Sequence, residues 1–160
     1  MWPNDQVAGP PGTAPGRAGG TGRLATITMP ATDRYVAFAR LATAHLCGAV
    51  GMTVSRAADL RLAVDEACKQ FLDRDAPWTD PGAPLELRFD REPEALRITV
   101  RGPVADGWPD RGGLSWLILE TLIGDVREEI VPGGGAGTLR FAEALPADGV
   151  PGDVLWFAAS

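Results

Sequence analysis

The sequence predicts a two-layer α/β sandwich, in which a mixed or antiparallel sheet is covered on one face by about three helices. Three observations predict this fold. Residues 60–72 place apolar side chains at spacings of three and four, as a helix packed on one side does. Residues 85–90 and 96–101 alternate strictly between apolar and polar side chains, as half-buried strands do. The predicted elements follow one another as strand, two helices, two strands, helix and two strands.

The chain of 160 residues has the length of one domain with tails. Residues 1–22 are crowded with Pro and Gly and carry almost no apolar side chains, so they are predicted to form a disordered tail. They lack the charged start and apolar run of a signal peptide. We expect the domain to cover residues 23–145 and a second tail to cover residues 146–160. The apolar run 154–157 in that tail either packs on the domain or meets a partner.

Charge and composition argue against several classes of protein. The formal net charge of −6 argues against a nucleic-acid binder, which usually carries a basic patch. No run of about 18 apolar residues is present to cross a membrane. Cys47 and Cys68 lie in helical patterns without a secretion signal, which indicates a reduced, buried pair in the cytoplasm. His45 is the single histidine, which leaves little for a zinc site.

The first strand is predicted over residues 23–29 and is ended by Pro30, which cannot donate a hydrogen bond to a ladder. Asp33 then suits the N-cap of a helix over residues 34–50. Thr53 or Ser55 suits the N-cap of the second helix.

The second helix is the clearest element of the sequence. Its apolar stripe consists of Leu60, Ala63, Val64, Ala67, Cys68, Phe71 and Leu72. Asp65, Glu66 and Lys69 are predicted to lie largely off that stripe, with Asp65 and Lys69 forming a pair on the helix face. A Pro- and Gly-rich link follows this helix.

The second half of the chain is predicted to add four strands and one helix. A loop of hairpin length joins strands 85–90 and 96–101. After a Gly-, Pro- and Asp-rich loop, residues 114–123 form a helix that is apolar nearly all round, with Trp116 expected in the core. The last two strands, 126–131 and 138–144, are joined by a glycine-rich turn.

Three segments carry a resemblance to a known family. The string from Asp59 to Cys68, Asp-Leu-Arg-Leu-Ala-Val-Asp-Glu-Ala-Cys, resembles the second helix of actinobacterial anti-sigma regulatory factors of the RsbW type. Gly113 begins a helix that runs into Asp125-Val126, as in that family. Phe38-Ala39-Arg40 is similar to the segment in which an arginine contacts the sigma factor. The resemblance covers residues 23–145. It implies the Bergerat ATP-binding fold that histidine kinases and gyrase share, and it implies that Arg40 contacts a partner.

The resemblance also implies where a nucleotide site would lie. Glu66 stands at the position of the general base. Gln70 stands where the family has the asparagine whose amide oxygen holds Mg²⁺. Gly102 stands where an aspartate accepts the adenine amino group, and Asp106 could replace that aspartate only if the loop were rerouted. Gly113 begins the helix that follows the lid, the segment whose backbone N–H groups wrap the phosphates.

Several departures from the family pattern predict a degenerate ATP site. Glutamine is one methylene longer than asparagine, and Gly102 has no side chain to offer the adenine. The lid is much shorter than in ATP-binding relatives, and Ser115 replaces a further glycine. We therefore expect no cofactor, with Mg-ATP bound only if the altered site still functions.

Three functions remain open from the sequence. The first is an anti-sigma factor that sequesters an alternative sigma factor as a homodimer and is relieved by an anti-anti-sigma partner, without direct contact to nucleic acid or membrane. The acidic balance of the chain suits docking on basic sigma domains. The second is an active serine protein kinase, with Glu66 as catalytic base, which phosphorylates its anti-anti-sigma antagonist. The third is a protein of the same fold with an unrelated partner.

Overall fold

A computed structural model describes residues 21–72 and 83–147. The elements follow the predicted order, and their bounds are β1 Gly22–Pro30, α1 Asp33–Ala49, α2 Val54–Lys69, β2 Pro84–Arg91, β3 Ala95–Pro103, α3 Leu114–Ile123, β4 Arg127–Ile130 and β5 Ala136–Ala144. Residues 1–20 and 148–160 of the two predicted tails, the run 154–157 and most of the link after α2 lie outside the described residues. Gly22, predicted as the last residue of the first tail, is the first residue of β1.

The five strands form one sheet in the order β1-β2-β3-β5-β4, and every neighbouring pair is antiparallel. Of the two predicted alternatives, mixed or antiparallel, the antiparallel sheet is the correct one. Ile98 lies opposite Phe89 on one side and Phe141 on the other, so all three face the same layer. The strict alternation in the sequence has this origin, because successive side chains of a strand point to opposite faces.

The helices cover the inner face of the sheet. The buried core joins Leu85, Leu87 and Phe89 of β2 to apolar side chains of all three helices. The other face carries side chains such as Arg88 and Thr99, which are only partly buried. This arrangement is the predicted two-layer α/β sandwich.

The two helix starts differ in their capping. Thr53 is the N-cap of α2, and its side chain accepts a hydrogen bond from the backbone N–H of Arg56 at 3.3 Å, as one of the two predicted alternatives requires. The N-cap of α1 is Thr32, whose side chain makes no capping hydrogen bond. The expectation that Asp33 caps α1 was wrong. Asp33 instead lies in the first helical turn, where a negative charge favours the helix dipole.

Burial on α2 is wider than its apolar stripe. Leu60, Ala63 and Val64 are buried as predicted, but Asp65 and Glu66 are buried too, each with 5% of its surface exposed. The two carboxylates were predicted to lie largely off the apolar stripe, and the buried surface of α2 extends beyond that stripe to include them. The physical reason is that α2 contacts both α1 and α3, so its flanks are covered as well as the side that meets the sheet.

Helix α3 is less buried than its composition suggests. Trp116 and Leu119 lie in the core, as expected for Trp116, whereas Leu114 and Leu117 are exposed. The turn between β4 and β5 contains Gly133, Gly134 and Gly135, all with positive φ, a conformation that glycine adopts at little cost. Within the described residues, no helix is long and apolar enough to cross a membrane.

Candidate functional site

A cluster of charged side chains joins the three helices near the end of α2. The Asp65 carboxylate receives two cations: Arg40 of α1 donates from Nη1 to Oδ1 at 2.9 Å, and Lys69 Nζ lies 2.7 Å from Oδ2. The predicted pair of Asp65 and Lys69 is thus present. Because Asp65 is nearly buried, it needs these partners to offset its lost hydration. We call Arg40, Asp65, Glu66 and Lys69 the charged cluster.

Both carboxylate oxygens of Glu66 are engaged. Lys69 Nζ donates to Oε1 at 2.7 Å, and the hydroxyl of Ser115, in the first turn of α3, donates to Oε2. Ser115, which stands in place of a family glycine, therefore ties α3 to α2. A general base must turn a free lone pair toward the proton it takes. Each oxygen of Glu66 already accepts one hydrogen bond, and through Ser115 the carboxylate joins α2 to α3.

The charge of Lys69 is stabilised by its two neighbours. Burial by itself lowers the pKa of Lys69, but the hydrogen bonds to Asp65 and Glu66 and the attraction of their charges outweigh it, so the pKa is raised above its ordinary value. With two cations and two anions, the charged cluster is close to neutral, as a half-buried group of charges between helices has to be.

A cavity of about 320 Å³ opens beside the charged cluster. Its lining residues are Lys69, Gln70, Leu72, Ala105, Asp106, Gly107, Trp108, Asp110 and Ser115. Gln70, the C-cap residue of α2, and Asp106 thus line the same cavity. The structure brings together two of the four residues that sequence reasoning assigned to nucleotide binding.

Gly102 lies in the sheet beneath a buried aromatic ring. A Cβ atom built at Gly102 would lie 2.9 Å from atoms of the Phe71 ring and 2.9 Å from Leu85, closer than Cβ atoms pack. Phe71 is fully buried, and its ring centroid lies 5.2 Å from that of Trp108. An aspartate at position 102 would need the space that the Phe71 ring fills.

The second ring of this aromatic pair rests on a second glycine. Gly137 of β5 is paired with Gly102 of β3 in the sheet, and a Cβ at Gly137 would lie 2.7 Å from the Trp108 ring. Two opposed glycines therefore make the floor on which Phe71 and Trp108 pack. The residues that would bind Mg-ATP in the family do not fit it here, because position 102 offers no acceptor and the space above it holds a ring.

Gly113 is the N-cap of α3 and makes no side-chain cap. A Cβ atom there would lie 2.5 Å from Oδ2 of Asp110, whose Oδ1 accepts a hydrogen bond from the N–H of Gly112 at 3.2 Å. The absence of a side chain at Gly113 makes room for the Asp110 carboxylate. This packing explains why a glycine stands at position 113 without any role in binding a ligand.

Helix α1 carries a row of exposed apolar side chains, and Arg40 lies on the flank of the same helix that faces α2. Tyr35, Phe38 and Leu41 recur at every third residue, and 39%, 55% and 67% of their surfaces are exposed. Such a row is continuous on a helix surface. The Arg40 side chain is itself 44% exposed while it holds Asp65. Its guanidinium therefore keeps N–H groups that face solvent.

The two cysteines are buried and unlinked. Burial raises the pKa of Cys47 to about 11 and raises the pKa of Cys68 as well. Thiols of this kind remain protonated and unreactive. In residues 21–72 and 83–147, no three His, Cys, Asp or Glu side chains are grouped to hold a metal ion.

Sequence reasoning missed the aromatic pair and Gly137. Phe71 was assigned to the apolar stripe of α2, but nothing in the sequence showed that Trp108, from a loop rich in Gly and Pro, folds back on it. The glycine at 137 stood in a glycine-rich turn, where it had no distinguishing signal. Only strand register places it opposite Gly102.

Comparison with known proteins shows a similarity to solved structures. No protein-family model matches the chain, and no curated protein does. Among solved structures, the chain is similar to the RsbU and RsbW domains of Rv1364c from Mycobacterium tuberculosis, with a TM-score of 0.55 and 18% sequence identity. The match covers 76% of this chain but 32% of that one. At this identity the likeness shows a shared RsbW-like fold.

Proposed function

We propose that this protein is an anti-sigma factor that binds an alternative sigma factor through α1 and releases it to an anti-anti-sigma partner. The exposed row of Tyr35, Phe38 and Leu41 carries the proposal, since contiguous apolar side chains on a soluble surface mark contact with another protein. Arg40 lies on the same helix, on the flank that faces α2, at the position where the sequence resemblance implies a sigma contact. The RsbW-like fold supports the same function.

We further propose that binding does not need nucleotide. Three observations support this: Gly102 offers no adenine acceptor, the Phe71 ring fills the space above it, and both oxygens of Glu66 accept hydrogen bonds. The competing function, an ATP-dependent serine kinase, requires Glu66 to be free and the rings to move. We also propose a homodimer, which sedimentation equilibrium of the purified chain would test.

The first experiment captures partners of the tagged full-length protein from native cytosol, with and without Mg-ATP, and identifies them by mass spectrometry. We expect a sigma factor in equal amount under both conditions. Capture that requires Mg-ATP, or phosphate transfer from ATP to a captured protein that Glu66→Gln abolishes, would support the kinase and overturn nucleotide independence. The absence of any sigma factor would overturn the function itself.

Matched substitutions test the α1 surface. Leu41→Asp should abolish capture, whereas Leu117→Asp, which changes a comparably exposed leucine on α3, should leave it intact. A charge in the centre of an apolar contact costs several kcal/mol, enough to lose a complex of moderate affinity. Equal loss with both variants would contradict the assignment to α1. Circular dichroism of each variant checks that the fold is kept.

A second pair of variants separates the two roles of Arg40. Arg40→Gln removes the guanidinium, while Asp65→Asn weakens the same ion pair but leaves the guanidinium in place. If Arg40 contacts the partner, capture is lost with Arg40→Gln and retained with Asp65→Asn. If both variants lose capture to the same extent, Arg40 acts only by holding α1 on α2. Both should lower stability, by about 1–3 kcal/mol, because Asp65 is buried.

A further inference from the structure

The outer face of the sheet, opposite the helices, carries an ordered array of polar side chains. Strand register defines two neighbouring rows across β2, β3, β5 and β4. The first row is Glu86, Arg101, Thr138 and Glu129, and the second is Arg88, Thr99, Arg140 and Arg127. Adjacent strands lie about 4.8 Å apart, so side chains within a row are direct neighbours. An acidic chain thus presents a face in which arginine predominates.

Three of these four arginines are already paired, Arg127 with Asp125 at 3.3 Å. Arg88 Nε lies 2.6 Å from Glu86, and Arg140 Nη2 lies 3.3 Å from Glu129. Arg101 lies between these pairs, and among the described residues its guanidinium has no ion-pair or hydrogen-bond partner. One full positive charge with five N–H donors is therefore left over in the middle of the array.

Thr138, which lies directly opposite Arg101, has a buried hydroxyl without a partner. Only 7% of the residue is exposed, and its Oγ1 makes no hydrogen bond within the described residues. A buried hydroxyl left unsatisfied is costly, and among the described residues only Arg91 Nε and Trp108 Nε1 are likewise buried without a partner. Thr138 is on the outer face of the sheet and lines the same depression as Arg101.

We propose that this part of the outer face binds a phosphoryl group. Arg101, Thr138 and Thr99 line one depression of about 230 Å³ together with the paired arginines Arg88 and Arg140. The depression holds three arginines against two glutamates, so its net charge is positive. It lies across the sheet from the charged cluster and the helix cavity, and it is independent of the function proposed above.

The arrangement of the donors favours a phosphoryl group over a carboxylate. Arg101 and Thr99 lie two residues apart on β3, and Thr138 lies opposite Arg101 on β5. The guanidinium and the two hydroxyls therefore border the depression on more than one side. A phosphate monoester presents three terminal oxygens and up to two negative charges, which such a set of donors can match. A carboxylate presents two oxygens in one plane. Arginine binds phosphate through its fork of N–H groups, and threonine adds a directional hydroxyl.

Calorimetric titration of the full-length protein at low ionic strength tests the proposal. The probes are inorganic phosphate, phenyl phosphate and acetate, each compared with chloride at the same ionic strength, because salt screens exposed charge. We expect phosphate and phenyl phosphate to bind and acetate to bind at least about tenfold more weakly. Binding of phosphate alone would identify a free-anion site, and comparable binding of phenyl phosphate would identify a site open to phosphorylated molecules; either supports a phosphoryl site.

Two variants and two matched controls localise the binding. Arg101→Gln and Thr138→Val should weaken phosphate binding about tenfold or more. Thr26→Val and Arg97→Gln make the same substitutions elsewhere on the outer face and should leave it unchanged. Tighter binding of acetate than of phosphate, undetectable phosphate binding, or equal effects in variants and controls would overturn the proposal.

Thermal unfolding gives a second readout of the same binding that does not rely on heat of binding. Phosphate should raise the Tm of the wild type but not that of Arg101→Gln, since a ligand stabilises the form it binds. Without phosphate, Thr138→Val should have a Tm above that of the wild type, because it replaces an unsatisfied buried hydroxyl by a methyl group of nearly the same size. A lowered Tm would mean that the Thr138 hydroxyl has a partner within the protein. The hydroxyl would then not be available to a phosphoryl group, which would contradict the proposal.

Discussion

Gly102 and Gly137 occupy opposed positions on β3 and β5, and the missing side chain at each is what lets the Phe71 and Trp108 rings lie on the sheet. Tilted rings with centroids 5.2 Å apart contribute about 0.5–1.5 kcal/mol beyond the area they bury. The packing of Phe71 and Trp108 on the two glycines therefore contributes to the stability of the fold.

Adding one methyl group at position 102 should be costly. Gly102→Ala places a Cβ 2.9 Å from Phe71 and Leu85, so we expect a loss of about 1–3 kcal/mol in the free energy of unfolding, measured in urea. Gly48→Ala is the control: nothing lies within 4 Å of its Cβ position in α1, and alanine favours the helix. A Gly102→Ala protein as stable as Gly48→Ala would show that the rings yield freely.

Among residues, the buried carboxylates show how a local pattern can mislead. Asp65 and Glu66 were placed off the apolar stripe because they are charged, yet each is buried and paired. Burial of an acid is tolerated when cations and donors from neighbouring elements reach it. Arg40 comes from α1 and Ser115 from α3, so neither partner can be identified within the sequence of α2 alone.

At the scale of elements, α2 is the centre of the helix layer and is held at both ends. Its N-terminus is capped by Thr53 and also tied to the sheet, since Arg56 donates from Nε to Glu143 of β5 at 2.9 Å. Its C-terminal half carries the charged cluster that binds α1 and α3. Such a helix fixes the position of the proposed partner surface on α1 relative to the sheet.

The two N-caps predict different responses to the same substitution. Thr53→Ala removes a hydroxyl that accepts a backbone hydrogen bond and should lower the free energy of unfolding by about 1 kcal/mol. Thr32→Ala removes a hydroxyl that makes no capping bond and should cost only a few tenths of a kcal/mol. Urea unfolding of both proteins measures the difference. Equal losses would mean that the Thr53 hydroxyl contributes no cap in solution.

For the whole molecule, the buried thiols set the response to alkaline pH. The pKa of Cys47 is about 11 in the fold and about 8.5 in an unfolded chain, so the folded state keeps a proton that the unfolded state releases. Stability should therefore fall as the pH rises from about 8.5 to about 11. Cys68, whose pKa is also raised, adds to this loss.

Lys69 extends the loss to higher pH. Its pKa is raised in the fold, so its contribution is complete below its unfolded value of about 10.4 and disappears as the pH passes its folded pKa. Urea unfolding at a series of pH values, from below about 8.5 to above about 11, measures the combined effect. The same series with Cys47→Ala should decline less steeply, and an unchanged slope in that variant would contradict the role of the Cys47 thiol.

Several features of this protein were determined by the sequence alone. The alternation of 85–90 and 96–101 and the stripe of α2 are local patterns, and they sufficed for the order of elements, the two layers and most of the core. The absence of a side chain at Gly102 is likewise a fact of the sequence. Tertiary structure decided the choice of an antiparallel sheet, the burial of Asp65 and Glu66, and the aromatic pair on two glycines. Each of these depends on residues far apart in the chain that meet only when strand register and helix packing are fixed, and no local period encodes such a meeting.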